Sequence, residues 1–218
     1  MIEKFSGFFD PSIVKQPIHI IGCGAIGSTL AIQLTRCGLT DIHLWDMDTV
    51  APHNLANQQF RYKDIGEAKV ASLHQIMLEI NPQIKVYYKD RYTDEKLAGY
   101  VFMAVDKVDI RKDIIKSNKY NLSVKAIFDF RMRLKDAQHY AADWNISADK
   151  ENLLKSLDFT QEEADAATEV NACGMSMSII PTIETIVAAG VANFINYLHN
   201  PASLNKFIIT NPFDFYTF

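Results

Sequence analysis

The run Gly22-Cys-Gly24-Ala-Ile-Gly27 constrains this chain more than any other feature, because of what flanks it. Before it, Ile18-His-Ile-Ile21 reads as a short buried strand. After it, Ile26, Leu30, Leu34 and Cys37 recur at helical spacing, and Gly38 stands where a helix C-terminal cap belongs. Gly22 permits a tight turn, Gly24 lets the backbone approach a phosphate, and Gly27 lets the helix pack closely on the strand. Asp41 to Trp45 supplies a second strand ending at Asp46, 19 residues after Gly27. Strand, glycine turn, helix and strand together begin a parallel sheet. The helix start offers unpaired N–H groups and the positive dipole end to an anion. Asp46 stands where a carboxylate accepts from ribose hydroxyls. The turn residues Gly22, Gly24, Ala25, Ile26 and Gly27 suit NAD, FAD or ATP; the alternative is a glycine turn kept for packing alone.

Residues 47–65 read as a loop. Glu67 to Ile80 is predicted helical, with Val70, Leu73, Met77 and Ile80 on one face and Asn81-Pro82 as its stop. Ile84 to Tyr88 gives a third strand, and the nearly all-apolar Tyr100 to Val105 a central fourth. A helix around Ile110, Ile114 and Ile115 follows, then strands over Ala126 to Met132 and Gln138 to Trp144, the latter as an antiparallel hairpin partner. The acidic stretch 145–172 suits short helices or a mobile crossover. Ile179 to Leu198 is a long core helix and Phe207 to Thr210 a terminal strand. The expectation is an α/β fold: a Rossmann-like, mostly parallel sheet with helices on both faces and a C-terminal antiparallel and helical elaboration. With 218 residues and no linker rich in Gly, Ser and Pro, one domain is expected, with its core at 16–135 and the elaboration at 136–218.

Composition removes whole classes. With 48% hydrophobic and 22% charged residues the chain is not disordered or fibrous. Three cysteines, an odd number without any Cys-x-x-Cys, exclude a disulfide framework and a four-cysteine zinc site, so no structural zinc is expected. Met1 to Asp10 lacks the pattern of a secretory signal, and Pro181, Glu184, Asn193 and Asn196 interrupt the longest apolar run. The expectation is a cytoplasmic protein with reduced thiols and no membrane partner. A net charge of −4 argues against nucleic acid, although residues 107–135 hold nine Lys or Arg against three Asp. That basic zone suits phosphates or an acidic partner; a solvated helix face is the plainer alternative.

Several ordered motifs then decide among the nucleotides. Asp46-Met-Asp48-Thr-Val50, His53-Asn54-Leu-Ala-Asn57-Gln58 and Asp64-Ile-Gly66-Glu-Ala-Lys69 resemble the ThiF/MoeB/HesA adenylyltransferases, the superfamily of ubiquitin-activating enzymes. Val105-Asp106-Lys-Val-Asp-Ile-Arg111 is similar to that family's segment after the fourth strand, and Ala172-Cys173-Gly174 to the region that closes its site. The resemblance runs from about Ile18 to Leu198. It implies ATP and Mg²⁺ as cofactors, adenylation of the C-terminal carboxylate of a small β-grasp ubiquitin-like or sulfur-carrier protein, and a homodimer. By the same resemblance Asp106 holds Mg²⁺, Asn54 contacts phosphate, Gln58 matches the family's following glutamine in the nucleotide-binding set, and Arg111 matches the arginine after the metal aspartate. Helix N-cap is the alternative for Asp106, and pairing with a carboxylate on its own helix face the alternative for Arg111.

On its own chemistry, Lys69 near a helix start is a mobile point charge suited to phosphates. Asp48 reads as a brace for the loop. Two departures from the family pattern stand out: Asn57 replaces an arginine, and residues 1–35 contain no arginine. Arg61, Arg131 or Arg133 could replace the missing cation. Cys173 is the candidate nucleophile by resemblance to sulfur-transferring relatives, whereas a buried, inert thiol is the plainer expectation. Cys23 and Cys37 read as packing residues. The departures keep open an ATP-binding scaffold without turnover. An NAD(P)-dependent oxidoreductase is disfavoured, because Asp64-Ile-Gly66-x-x-Lys69 has no role in hydride transfer.

Overall fold

The strands of the structure, a computed structural model describing residues 3–214, are β1 (Ile18–Ile21), β2 (Asp41–Trp45), β3 (Lys85–Lys89), β4 (Gly99–Met103), β5 (Val124–Met132), β6 (Ala137–Asp143) and β7 (Phe207–Thr210). They form one sheet in the order β3-β2-β1-β4-β5-β6-β7. The first five strands of that order run parallel and the last two pair antiparallel, as the sequence predicts. Met1 and Ile2 of the opening segment and residues 215–218 lie outside the described residues.

The helices are α1 (Ala25–Arg36), α2 (Lys69–Ile80), α3 (Val108–Asn118), α4 (Ser147–Lys155), α5 (Gln161–Ala166) and α6 (Ile180–His199). Strand side chains alternate between two apolar layers. Ile18, Ile20, Ile42, Leu44, Phe102 and Phe128 face a core completed by Leu30 and Leu34 of α1, Leu73 and Met77 of α2, and Ile186 and Phe194 of α6. Ile21, Val101, Met103 and Ile127 face the other core, with Ile114 and Ile115 of α3 and Leu153 of α4. Each layer removes one strand face and one helix stripe from water, which is why helices are needed on both sides of a parallel sheet.

α1 ends as expected: Gly38 takes a left-handed φ of +84°, and the Leu39 N–H returns to the Leu34 carbonyl at 3.2 Å. The polar interruptions of α6 each have a task. Pro181 lies in the first turn, Glu184 accepts from Gln33 and Gln59, and Asn193 bonds the ring of buried His139 and the backbone of Asn205. Gly190 is required by contact, since a Cβ there would lie 2.3 Å from Phe130 of β5.

Some boundaries move. α2 starts at Lys69 instead of Glu67, because Gly66 to Lys69 is drawn into an extended pairing described below. β4 stops at Met103, where Ala104 and Val105 leave to pack against the glycine turn. The acidic stretch holds two short helices, α4 and α5. Among the described residues, no helix is long and apolar enough to cross a membrane.

Candidate active site

β1 has β2 on one side and β4 on the other, and the chain leaves these two neighbours in opposite directions. In open α/β sheets the crevice at such a switch point, beyond the carboxyl ends of the strands, is where ligands bind. The glycine turn lies there. Gly22 adopts φ +93°, and a Cβ on it would lie 2.8 Å from the Ala104 carbonyl carbon. A Cβ on Gly27 would lie 1.8 Å from the Gly22 oxygen. Both glycines are therefore demanded by close backbone approach. Gly24, the N-cap of α1, has nothing within 4 Å of a built Cβ, and no side chain caps that helix end. The N-terminus of α1, with Ala25 and Ile26, thus opens onto free space suited to an anion.

Asp46, just past β2, holds this turn. Its Oδ2 accepts the Cys23 N–H at 2.6 Å and its Oδ1 accepts the Asp48 N–H at 2.9 Å. Burial pushes the Asp46 carboxyl above the ordinary aspartate range, while those two N–H groups and the Lys69 ammonium pull it back. Cys23 is fully buried and its thiol is pushed well up by burial and by Asp46, so it is a packing residue.

Two motifs far apart in sequence then meet as a short antiparallel clip. The Lys69 N–H donates to the Asp48 carbonyl at 2.9 Å, Thr49 bridges Ala68, and the Val50 N–H donates to the Glu67 carbonyl at 2.9 Å. Gly66, at φ +91°, turns so that its N–H reaches the Val50 carbonyl at 2.8 Å. The clip sets the Lys69 side chain, only 8% exposed, with Nζ 2.9 Å from Asp48 Oδ2.

The intervening loop is fastened by its own polar groups. Asn54 is buried and its Oδ1 accepts the Ala51 N–H at 2.9 Å. Asn57 donates to Ser178, which ties the loop to the segment before α6. Gln58 Oε1 is buried without a partner, whereas Gln59 bonds Ser28, Thr29 and Glu184. Arg61 makes two bonds to Asp64 and a third to Glu79, so its guanidinium is held at the loop's far side.

Asp106 lies three residues beyond the end of β4 and is exposed. It is not an N-cap: Lys107 holds that position in α3, and Gln161 of α5 accepts the Val108 N–H. Among the described residues, no three His, Cys, Asp or Glu converge to hold a metal. A lone exposed carboxylate fits magnesium where substrate phosphates complete the set, since that ion binds through one or two carboxylates plus phosphates.

Arg111 does not pair on its own helix face. It crosses to buried Asp129 on β5 and donates to the Val105 and Phe130 carbonyls, the former immediately before Asp106. Asp129 also accepts from Arg131 at 2.7 Å, and Arg131 stacks 4.1 Å from the Tyr140 ring and bonds Ser156. Arg131 is thereby braced inside the fold; Arg133, just past β5, is exposed. Burial lowers Arg111 to about 9 and Arg131 to about 10, so both remain charged at neutral pH. Asp129 escaped the sequence reading, although a single carboxylate inside the apolar run Ala126 to Met132 was its signal.

Cys173 corrects the expectation of a buried thiol: it is exposed. Asn171 caps its turn by accepting the Cys173 and Met175 N–H groups, and no apolar periodicity draws the segment inward. A separate cleft of about 270 Å³ between α1 and α6, lined by Thr29, Gln33, Arg36 and Glu184 among others, contains none of the acidic site residues.

The model of one family matches residues 9–215, nearly the whole described chain. The chain belongs to the ThiF family. Ubiquitin-like modifier-activating enzyme 5 of Caenorhabditis briggsae is 24% identical over 127 residues, 56% of this chain but 27% of the relative, so this chain spans about a quarter of that protein's length. Among solved structures, PaaA superposes with a TM-score of 0.70 at 15% identity, covering 94% of this chain and 64% of PaaA. A structure of Escherichia coli MccB with ATP gives 0.63 at 19% identity, covering 92% of this chain and 62% of MccB. The ThiF-family chain thus carries the expected Rossmann-like sheet with its antiparallel C-terminal strands.

Proposed function

We propose that this ThiF-family chain is an adenylyltransferase. It binds ATP with magnesium at the carboxyl ends of β1, β2 and β4 and activates the C-terminal carboxylate of a small ubiquitin-like or sulfur-carrier protein of β-grasp type. The observation that carries this reading is the clip, which brings Asp46, Asp48 and Lys69 together beside an uncapped helix N-terminus. A hydride-transfer enzyme has no use for a buried lysine at that place. The relatives named for activating ubiquitin-like modifiers and the ATP in the MccB structure support it further.

In this reading a carboxylate oxygen of the acceptor attacks the α-phosphorus. An acyl–phosphate bond forms, and pyrophosphate leaves with the electron pair of the broken P–O bond. The chain's part is to position the reactants and stabilise charge on phosphoryl oxygens. Asp46 accepts from ribose hydroxyls through the lone pairs its two backbone contacts leave free. The α1 N-terminus and Lys69 face the phosphates, with Asn54 and the unpartnered Gln58 Oε1 lining the loop above. Asp106 holds the magnesium, which neutralises phosphate charge when bound, and Arg111 fixes the backbone that carries Asp106. The chain acts as one adenylation domain, core 16–135, with the elaboration 136–218 and exposed Cys173 on the acceptor's side, and it works as a homodimer.

ATP–pyrophosphate exchange tests this directly. Exchange that depends on a carrier ending in Gly-Gly is expected; absence of exchange with every such carrier overturns it. The second reading, an ATP-binding scaffold, is favoured by Asn57, whose amide is spent on Ser178, and by Arg61, whose guanidinium is spent on Asp64 and Glu79. It expects ATP binding by calorimetry with no exchange.

A further inference from the structure

Lys69 and Asp48 form an unequal pair: the lysine side chain is 8% exposed and the aspartate 61%. The clip fixes both ends, since the Lys69 N–H is bonded to the Asp48 carbonyl and the Lys69 Nζ to the Asp48 carboxylate. The ammonium has three donors, and among the described residues Asp48 is the one carboxylate bonded to it. Asp48 is joined to the site through Lys69, and through its N–H on Asp46.

We propose that Asp48 is the resident counter-ion of Lys69. It holds the ammonium in place beside the switch-point crevice while no phosphate is bound. It then gives up the ammonium, in whole or part, to incoming phosphates, and takes it back as pyrophosphate leaves. The exposed partner is the one able to turn to water without a desolvation cost, whereas the Lys69 side chain is packed at the start of α2 and keeps its place. The pair therefore sets how tightly phosphate is held, and it makes Asp48 a positioning residue that acts through Lys69. This inference rests on the nucleotide-binding reading above for its ligand, but the ion-pair exchange is separable from it.

The test is calorimetric titration of the full chain with inorganic pyrophosphate, ATP with magnesium, and adenosine. Asp48→Asn and Asp48→Ser remove the charge at an exposed position, and Asp48→Glu preserves it. Removing a competing charge near water costs or returns about a fivefold change in affinity. Both neutral variants are expected to bind pyrophosphate and ATP about fivefold more tightly, adenosine unchanged, with Asp48→Glu close to the parent. If the parent binds ATP and the neutral variants bind it equally or more weakly, the counter-ion role is overturned and the nucleotide reading stands. If pyrophosphate tightens but neither ATP nor adenosine binds the parent, the counter-ion role stands and the nucleotide reading falls. If no ligand binds parent or variant, both fall.

Discussion

The carboxylate of Asp46 accepts the backbone N–H of Cys23 at 2.6 Å, across 23 residues of sequence. The acidic residue at the end of β2 is therefore part of the glycine turn's scaffold, beside the ribose contact proposed for it. Its second oxygen holds the Asp48 N–H, so turn and clip are joined through one side chain. Whatever disturbs Asp46 disturbs both phosphate-facing elements together.

Asp46→Ala leaves the Cys23 and Asp48 N–H groups without their acceptor. A partly buried donor left unpaired costs about 1–3 kcal/mol. Urea unfolding is expected to show a loss of that size, and calorimetry a fall in ATP affinity of at least about tenfold, equivalent to ~1.4 kcal/mol. Asp46→Asn keeps one acceptor oxygen and is expected to fall between the two. Wild-type stability in Asp46→Ala would mean that the bracing is idle.

Asp129 bridges Arg111 and Arg131 with its carboxylate fully buried. Asp129→Ala strands two guanidiniums in the core, and breaking a buried pair costs about 3–5 kcal/mol. The expected result is a large drop in the urea midpoint, partly recovered by adding Arg111→Met, which removes one stranded charge. Equal stability of single and double variants would contradict the network.

The parallel half of the fold was legible because each signal there is local: apolar runs, glycine spacing, helical periodicity. Even the antiparallel β6 and β7 could be read from alternation and from their position after the core helix. The clip was not. The Asp48–Val50 and Gly66–Lys69 segments are polar, short and separated by a loop, and only tertiary pairing makes them strand-like. Lys69 could be named from its motif, but its bond to Asp48 could not. The alternative of a same-helix partner for Arg111 fails for a related reason: helical spacing favours partners on the same helix, while its carboxylate waits on a strand 18 residues later. Cys173, expected as a buried thiol, is exposed, and the capped turn at Asn171 holds its backbone there.

His139 and His19 are both buried, and burial lowers each imidazole to about 3, with His43 adding to the effect on His19. In the unfolded chain each titrates near 6.5, so below that pH the unfolded state binds more protons than the native one. Stability is thus intact above about pH 6.5 and declines as the pH falls toward 3, by about 2 kcal/mol per histidine at pH 5. His139→Gln retains an amide toward Asn193 and removes one titrating group. Its stability profile between pH 7 and 4 is expected to be shallower by close to one proton, whatever its absolute stability. An unchanged slope would mean that His139 is protonated in the folded protein.

Gly24 and Gly27 belong to one motif and are expected to fail in different ways. At Gly27 an added Cβ would meet the Gly22 oxygen at 1.8 Å, a backbone atom that cannot move without opening the turn against Ala104. Overpacking against side chains costs about 1–3 kcal/mol, and a backbone collision has no rotamer to relieve it, so Gly27→Ala is expected at or above the upper end. At Gly24 the added methyl meets nothing within 4 Å. Gly24→Ala is expected to unfold within about 1 kcal/mol of the parent, the range typical of changes away from packed features. Its methyl nonetheless enters the open space at the α1 N-terminus where phosphate is to approach. ATP affinity is therefore expected to fall by about tenfold or more while the fold is kept, ~1.4 kcal/mol read in binding and not in stability. Thermal melting paired with ATP titration separates the two variants. Parent-like ATP binding in Gly24→Ala would show that phosphate does not use the helix end.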